Sequence, residues 1–202
     1  MTELHRRLGR NFTLGELLAS ETAERNPDML KEQHNPPPEV VANLAYLVGV
    51  TLQPIRETLN FPIRVSSGYR SPSLNKAVNG SSTSRHCIGQ AVDIQLSQRF
   101  LTDPATEDIR WRIETRVLAH TDKPIRRDAN ANFYLFAYCC LRMDDFDVDQ
   151  AIHEYGNGFG QPAWVHISAG AHENKRQILC FGRYWSRETH GVDLSEALAF
   201  GV

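Results

Sequence analysis

A histidine and an aspartate stand close together in the segment Ser84–Ile94, and both belong to residue types that bind metal ions. Asp93 lies between Val92 and Ile94 in a short apolar run that predicts a buried strand. Burying a carboxylate among apolar neighbours costs free energy unless a partner neutralises its charge. A divalent metal bound by Asp93 and by His86, just upstream, would supply that partner.

A third ligand is available far along the chain, at His166. The run Trp164–Ser168 predicts a strand in which alternation places His166 on the same face as Trp164. A catalytic zinc site takes about three protein ligands and leaves one position open. Because His86, Asp93 and His166 mix imidazole with carboxylate, the set suits one zinc ion better than calcium or magnesium.

Hydrolysis at such a metal also needs a general base and a cationic group. Glu154 lies near the end of a predicted strand, just before a glycine turn at 156–158, which suits a carboxylate aimed into a cleft. His153 competes with it, and alternation makes the two face opposite sides. Arg70, on the turn after a predicted strand at 61–67, would stabilise a developing oxyanion.

Each of these residues also has an ordinary structural interpretation. An isolated His86 is most often a surface or hydrogen-bonded histidine, and Arg70 alone is more often part of a surface ion pair. Glu154 alone is more often exposed to solvent. Tyr69 and Trp164 fit the core or the wall of a cleft as well as substrate recognition. The metal-site hypothesis therefore depends on the residues acting together.

Composition excludes several classes of protein. The chain has 202 residues and a formal net charge of −2, which does not indicate a nucleic-acid binder. No apolar run reaches membrane-spanning length, so we expect no membrane partner. The polar residues after Met1 predict synthesis in the cytoplasm without a signal peptide. The four cysteines match no zinc-finger spacing, so we expect reduced thiols.

Hydrophobic periodicity and turn residues predict an α+β fold in a single domain over residues 1–202. N-terminal helices should precede a small antiparallel sheet with the zinc site in a central cleft. Thr13 and Glu16 predict a capped helix start, and Glu39–Leu59 shows helical periodicity that Pro54 should bend or end. Strands are predicted at 61–67, 92–94, 150–155, 164–168 and 177–181. The apolar run 133–141 fits either a core helix or a strand.

Four motifs together resemble a known family. They are Ser67-Gly68-Tyr69-Arg70-Ser71, Asn75-Lys76-Ala77-Val78, Ser84-x-His86-x-x-Gly89-x-Ala91-x-Asp93 and Trp164-Val165-His166. This combination resembles the zinc-dependent D-Ala-D-Ala carboxypeptidases and murein peptidases of the M15 class. The stretch Asn11–Leu17 and the helix that follows Pro36-Pro37-Pro38 are similar to the phage and prophage branch. The likeness covers residues 11–93 and 146–168.

The resemblance implies a fold in which an antiparallel sheet cradles one zinc ion, with His86, Asp93 and His166 as ligands. It implies that Arg70 lies near the substrate carbonyl or carboxylate and that Ser84 lines the pocket. We assign Tyr69 and Trp164 to the substrate-binding wall. The implied reaction is hydrolysis of a peptide bond beside a D-residue in the peptidoglycan stem peptide.

The chain departs from the family pattern at two places. Many relatives carry an acidic residue three positions before the last ligand, where this chain has Ala163. We therefore predict that Glu154 supplies the general base. The segment 98–144 is longer than expected between the Asp93 ligand and the final strands. It could serve as an insertion that forms a lid, a wall-binding element or an assembly surface.

Three functional hypotheses follow. The first is a zinc peptidase of peptidoglycan, a D,D-carboxypeptidase or endopeptidase that serves as a phage or prophage lysis or entry enzyme. It would act on the wall after release from the cytoplasm or as part of a virion, with phage structural proteins as further partners. The second is a catalytically inactive wall-binding or phage structural protein of the same fold. The third is a dipeptidase that cleaves free D-Ala-D-Ala.

Overall fold

A computed structural model of the chain describes residues 3–156, 160–170, 175–181 and 190–202. The helices in these ranges are α1 (Leu14–Leu18), α2 (Glu21–Glu24), α3 (Pro27–Gln33), α4 (Pro38–Leu47), α5 (Gln53–Leu59), α6 (Pro72–Ala77), α7 (Glu107–Thr121), α8 (Ala131–Cys140) and α9 (Leu194–Ala199). The strands are β1 (Ile63–Ser67), β2 (Ala91–Leu96), β3 (Gln150–Glu154), β4 (Trp164–Ser168), β5 (Gln177–Phe181) and β6 (His190–Val192). No helix in the described part of the chain has the length and apolar character needed to cross a bilayer.

The N-terminal helices begin and bend at the residues that the sequence indicates. Thr13 caps α1, and its backbone N–H is bonded by the Glu16 side chain in a capping box. A π-helical turn at Val48–Leu52 joins α4 to α5. Pro54 follows directly inside this continuous helical run, where its missing N–H interrupts the regular hydrogen-bond ladder and the wider turn accommodates it. The predicted long helix is therefore confirmed, with its irregularity just before the proline.

The six described strands form one sheet in the order β1-β2-β4-β3-β5-β6. Neighbouring strands are antiparallel except β3 and β5, which run parallel. The mixed α+β prediction is confirmed, whereas the expectation of a wholly antiparallel sheet is wrong at this one pair.

The parallel pair results from where β4 ends. Ser168, the last residue of β4, lies opposite Gln150, the first residue of β3. Gln177, the first residue of β5, lies beside Gln150 with β5 running in the direction of β3. Asp149, just before β3, is hydrogen-bonded to both neighbouring strands. Its N–H donates to Ser168 O at 2.8 Å, and its carbonyl accepts from Gln177 N at 2.8 Å. The alternation of residues along β5 does not indicate which strand it pairs with.

The segment 98–144 contributes part of the core. The whole of α8 is buried, and it packs against β2, β3 and β4. Helices α7 and α9 pack against it, and α9 also contacts β5. The apolar run 133–141 is thus a core helix, and this part of the segment is no lid over a cleft.

The two faces of the sheet have different surroundings. Val165 and His153 lie on the face covered by α8, where the His153 ring is 5.4 Å from that of Phe136. Asp93 and His166 lie on the opposite face, which forms the floor of a cleft. Side-chain alternation along the strands therefore separates an apolar layer from a polar one.

Candidate metal centre and catalytic cleft

Two neighbouring strands and the turn before one of them bring the three predicted ligands together. Asp93 on β2 lies directly opposite His166 on β4 in the antiparallel register. His86 lies on the 3₁₀ turn Arg85–Ile88, which leads into β2 through Gly89. Gly89 has a φ of 73°, in the left-handed region that glycine adopts readily, so the chain can reverse there. All three side chains are buried, at 2%, 4% and 8% exposure for His86, Asp93 and His166.

The donor atoms of the three side chains converge on one point. His166 Nδ1 lies 3.0 Å from Asp93 Oδ1, and His86 Nε2 lies 3.2 Å from the same oxygen. The two imidazole nitrogens are 3.1 Å apart. Bonds of about 2.0 Å to a tetrahedral zinc ion would place ligand atoms about 3.3 Å apart, which is close to this spacing. Two nitrogens and one carboxylate oxygen also form a donor set that zinc prefers. The residues therefore fit a zinc ion.

The orientation of His86 is set by a backbone carbonyl. Its Nδ1 donates to Gly68 O at 2.6 Å, which leaves the lone pair on Nε2 facing the other ligands. Gly68 is packed closely, because a Cβ added there would lie 2.2 Å from Leu17 O. The glycine of the Ser-Gly-Tyr-Arg motif thus allows the close approach that orients the His86 ring.

The second oxygen of Asp93 is held by a cation. Arg70 Nη2 donates to Asp93 Oδ2 at 2.7 Å, while Arg70 Nε donates to Ser67 Oγ at 3.0 Å. Burial by itself would raise the pKa of Asp93, but the adjacent His86 and His166 hold it well below its usual range. Asp93 is therefore ionised and presents Oδ1 to the histidines.

A buried amide fixes the loop that carries Arg70. Gln33 Nε2 donates to Leu18 O at 2.9 Å and to Tyr69 O at 2.7 Å. Its Oε1 accepts from Ser71 N at 2.8 Å. The loop is therefore held on both sides of Arg70 by one side chain from α3. Nothing in the local sequence around Gln33 indicates this connection.

Glu154 lies at the end of β3 on the cleft face, directly opposite Trp164. The Trp164 Nε1–H donates to Glu154 Oε2 at 2.8 Å. Burial raises the pKa of Glu154 and the nearby Asp93 carboxylate adds to the rise, whereas His166 and, less strongly, the Trp164 hydrogen bond and Arg70 oppose it. The carboxylate therefore stands beside the ligand cluster with a raised affinity for a proton. The glycine turn predicted after it falls largely outside the described residues.

The cleft has a volume of about 710 Å³ and is open to solvent. The predicted site residues that line it are Tyr69, Arg70, Ser84, His86, Glu154, Trp164 and His166. Asp93 lies behind the two histidines. Sequence reasoning did not single out Tyr155, whose ring lies 4.9 Å from that of Trp164 and forms part of the wall. In the sequence, only the adjacent Glu154 indicated that Tyr155 lies at the site.

Part of the chain matches the model of a known protein family. Residues 10–107 match the model of the family described as Peptidase M15. The match includes His86 and Asp93 and ends before His166, and it supports the M15 peptidase family, whose members are metallopeptidases. No curated protein matches the chain.

Proposed function

We propose that the chain is a zinc-dependent hydrolase of peptide bonds in bacterial cell-wall peptidoglycan, acting as a D,D-carboxypeptidase or endopeptidase. The observation that carries the proposal is the convergence of His86, Asp93 and His166 donor atoms within 3.0–3.2 Å of one another. Glu154 stands on the same face of the sheet. The match to Peptidase M15 supports the reaction class independently of this geometry.

Zinc held by His86, Asp93 and His166 would supply a Lewis acid that polarises the scissile carbonyl and makes water a stronger acid. The protein's own residues would do the rest of the chemistry. Arg70 and Gly68 keep two of the ligands in position from behind, which preserves their orientation while substrate enters and leaves.

Glu154 is the general base in this proposal. An ionised Glu154 takes a proton from the attacking water and returns it to the amine of the leaving group. Its raised pKa favours the first step, because a carboxylate with a higher pKa is a stronger proton acceptor. Ala163, just before β4, occupies the place where many relatives carry an acid, and β4 itself has no carboxylate that would compete with Glu154 for this role.

Arg70 is the cationic contact for substrate. A guanidinium has five N–H donors, and two of the Arg70 donors are used by Ser67 and Asp93. Because Arg70 also lines the cleft, the remaining donors can reach a substrate carbonyl or a terminal carboxylate. The cleft is also lined by Ser20, Thr22, Ser81 and Ser84, residue types that can form hydrogen bonds with the backbone of a short peptide.

The biological setting that we propose is lysis or entry by a phage or prophage. The similarity of the Asn11–Leu17 stretch to that branch supports it, and in the structure this stretch forms the capped start of α1. Peptidoglycan stem peptide would be the substrate.

The test is digestion of purified peptidoglycan and of defined stem peptides by the zinc-loaded protein. Wild-type protein should release D-Ala or cleave a cross-link, and Glu154→Gln should lower kcat/KM at least about 100-fold while zinc content stays the same. Glu107→Gln, on the exposed first turn of α7, is the matched control and should leave turnover unchanged.

The same assay separates the competing functions. Zinc at one ion per chain with wall binding and no turnover on any wall preparation would favour the non-catalytic protein of the same fold. Release of D-Ala from free D-Ala-D-Ala, with no action on longer peptides, would favour the dipeptidase. Equal activity of wild type and Glu154→Gln would remove Glu154 from the mechanism.

A further inference from the structure

One side chain holds the Glu154 carboxylate through a hydrogen bond. Among the described residues, the hydrogen bond to its side chain comes from Trp164, whose Nε1 lies 2.8 Å from Oε2. The two residues are cross-strand partners on β3 and β4, so their side chains leave the sheet side by side. Oε1 accepts no hydrogen bond from the described part of the chain. One oxygen is therefore occupied and the other is available to take a proton.

This single contact matters because a glutamate is flexible. The terminal torsion of a Glu side chain has a broad, two-fold energy profile, so a carboxylate without a partner turns through many orientations. A proton acceptor must lie within hydrogen-bond reach of the water it deprotonates. A fixed N–H donor at Oε2 restricts the turning and directs Oε1 consistently.

Contacts hold both the indole and the backbone next to it. The backbone of its neighbour is bound twice, because Ala163 O accepts from Gln95 Nε2 at 2.8 Å and from Asn132 Nδ2 at 2.8 Å. Ala163 N donates to Glu154 O at 3.0 Å, which locks the start of β4 to the end of β3. The Tyr155 ring packs against the indole with centroids 4.9 Å apart.

One of these supports comes from the long segment before the final strands. Asn132 lies on α8, is buried, and accepts from Leu96 N at 2.8 Å through the oxygen of the same amide that binds Ala163. It therefore links the end of β2 to the start of β4. The core helix of segment 98–144 is in this way connected to the residue that contacts Glu154.

We propose that Trp164 is a positioning residue that orients the Glu154 carboxylate through its indole N–H, rather than only a wall that contacts substrate. The proposal rests on the proposed function for its catalytic consequence. The hydrogen bond itself can be tested without turnover.

The first measurement follows the indole N–H directly. The chain has three tryptophans, and in protein labelled with ¹⁵N at the indole the Trp164 resonance is the one missing from Trp164→Phe. Replacing Glu154 with Ala should shift this resonance upfield and speed its exchange with solvent about tenfold or more. Glu107→Ala is the control and should leave it in place. A Trp164 resonance that does not respond to Glu154→Ala would overturn the proposal.

The second measurement is steady-state kinetics with zinc-loaded protein. Trp164→Phe should lower kcat about 10- to 100-fold, with KM changed less than about threefold and zinc content unchanged. In a Glu154→Gln background the same substitution should cause little further loss, because the two residues act as a unit. A loss confined to KM, or losses that multiply in the double variant, would show a substrate contact instead and contradict the proposal.

Two further outcomes are distinguishable. If Trp164→Phe does not fold, a benzothienyl-alanine at position 164 removes the N–H while keeping the ring shape, and the same kinetic result is expected. If wild-type protein shows no turnover but its Trp164 resonance responds to Glu154→Ala, the proposed function is contradicted and the positioning contact is supported.

Discussion

His166 and His153 lie on paired strands and are both buried, yet they have opposite surroundings. His166, on the cleft face, has its Nδ1 3.0 Å from Asp93 Oδ1. His153 faces the core between the rings of Phe136 and Phe200, at 5.4 and 5.8 Å. Its Nε2 has no hydrogen-bond partner among the described residues. The same residue type therefore has a charged partner on one face of the sheet and apolar ones on the other.

The difference shows what burial does to an imidazole. On the core face, burial lowers the pKa of His153 to about 4, so the ring is neutral and behaves as part of the apolar layer. On the cleft face a carboxylate and a second imidazole stand within hydrogen-bond distance of His166, and the zinc ion that we propose would be bound by all three. Because side chains alternate along each strand, the two histidines lie on opposite faces of the sheet and have different surroundings.

The largest effect should come from removing a ligand on the cleft face. His86→Ala should lower bound zinc from one ion per chain to well below that and abolish turnover, and it should lower the melting temperature of the zinc-loaded protein, because metal binding and folding are linked. Metal analysis and calorimetry measure both quantities. His120→Ala, at an exposed position in the last turn of α7, is the matched control. Unchanged zinc content in His86→Ala would exclude this histidine from the site.

Truncating a large side chain on the core face should lower stability and leave zinc binding unchanged. Phe136 is fully buried against His153, and Phe136→Ala should lower the free energy of unfolding by about 3–5 kcal/mol. Zinc bound per folded molecule should stay at the wild-type value, since the side chain lies on the other side of the sheet. Denaturant unfolding and metal analysis of the folded fraction check this. Zinc lost in proportion to stability would mean that the two faces are not independent.

A smaller effect should appear in how the free energy of unfolding depends on pH, through His153. The folded-state pKa of His153 lies below the value of an unfolded histidine, so its neutral burial contributes stability above about pH 6.5 that is lost as the pH falls through about 4. His153→Leu removes this titration and keeps an apolar side chain. Between pH 7 and pH 4, wild-type protein should therefore lose about 3 kcal/mol more unfolding free energy than the variant. Parallel pH profiles for the two proteins would contradict the assignment.

The local parts of the fold were predictable from sequence. The capping box at Thr13 and Glu16 and the strand Trp164–Ser168 follow from short patterns, and the structure has both. Asp93 between apolar residues indicated a buried carboxylate that needs a partner, and it is buried beside two histidines. These features depend on a few neighbouring residues, which is the range over which propensity and periodicity carry information.

The parts that could not be predicted depend on long-range packing. In the run 133–141 both faces are apolar, because α8 is buried all round, so periodicity could not distinguish a helix from a strand. The parallel placement of β5 depends on which strand it pairs with, and the bonds of Asp149 to Ser168 and Gln177 that accompany this pairing join residues far apart in the chain. The contact between Trp164 and Glu154 required the register of two strands, which neither strand's sequence specifies alone.

The central claim is that one zinc ion binds between His86, Asp93 and His166 beside Glu154. Anomalous diffraction at the zinc absorption edge, from crystals of the zinc-loaded protein, tests it most directly. We predict one anomalous peak about 2.0–2.2 Å from His86 Nε2, His166 Nδ1 and an Asp93 carboxylate oxygen, with its open side toward the cleft. No peak between these three side chains, or a peak bound by other residues, would contradict the account.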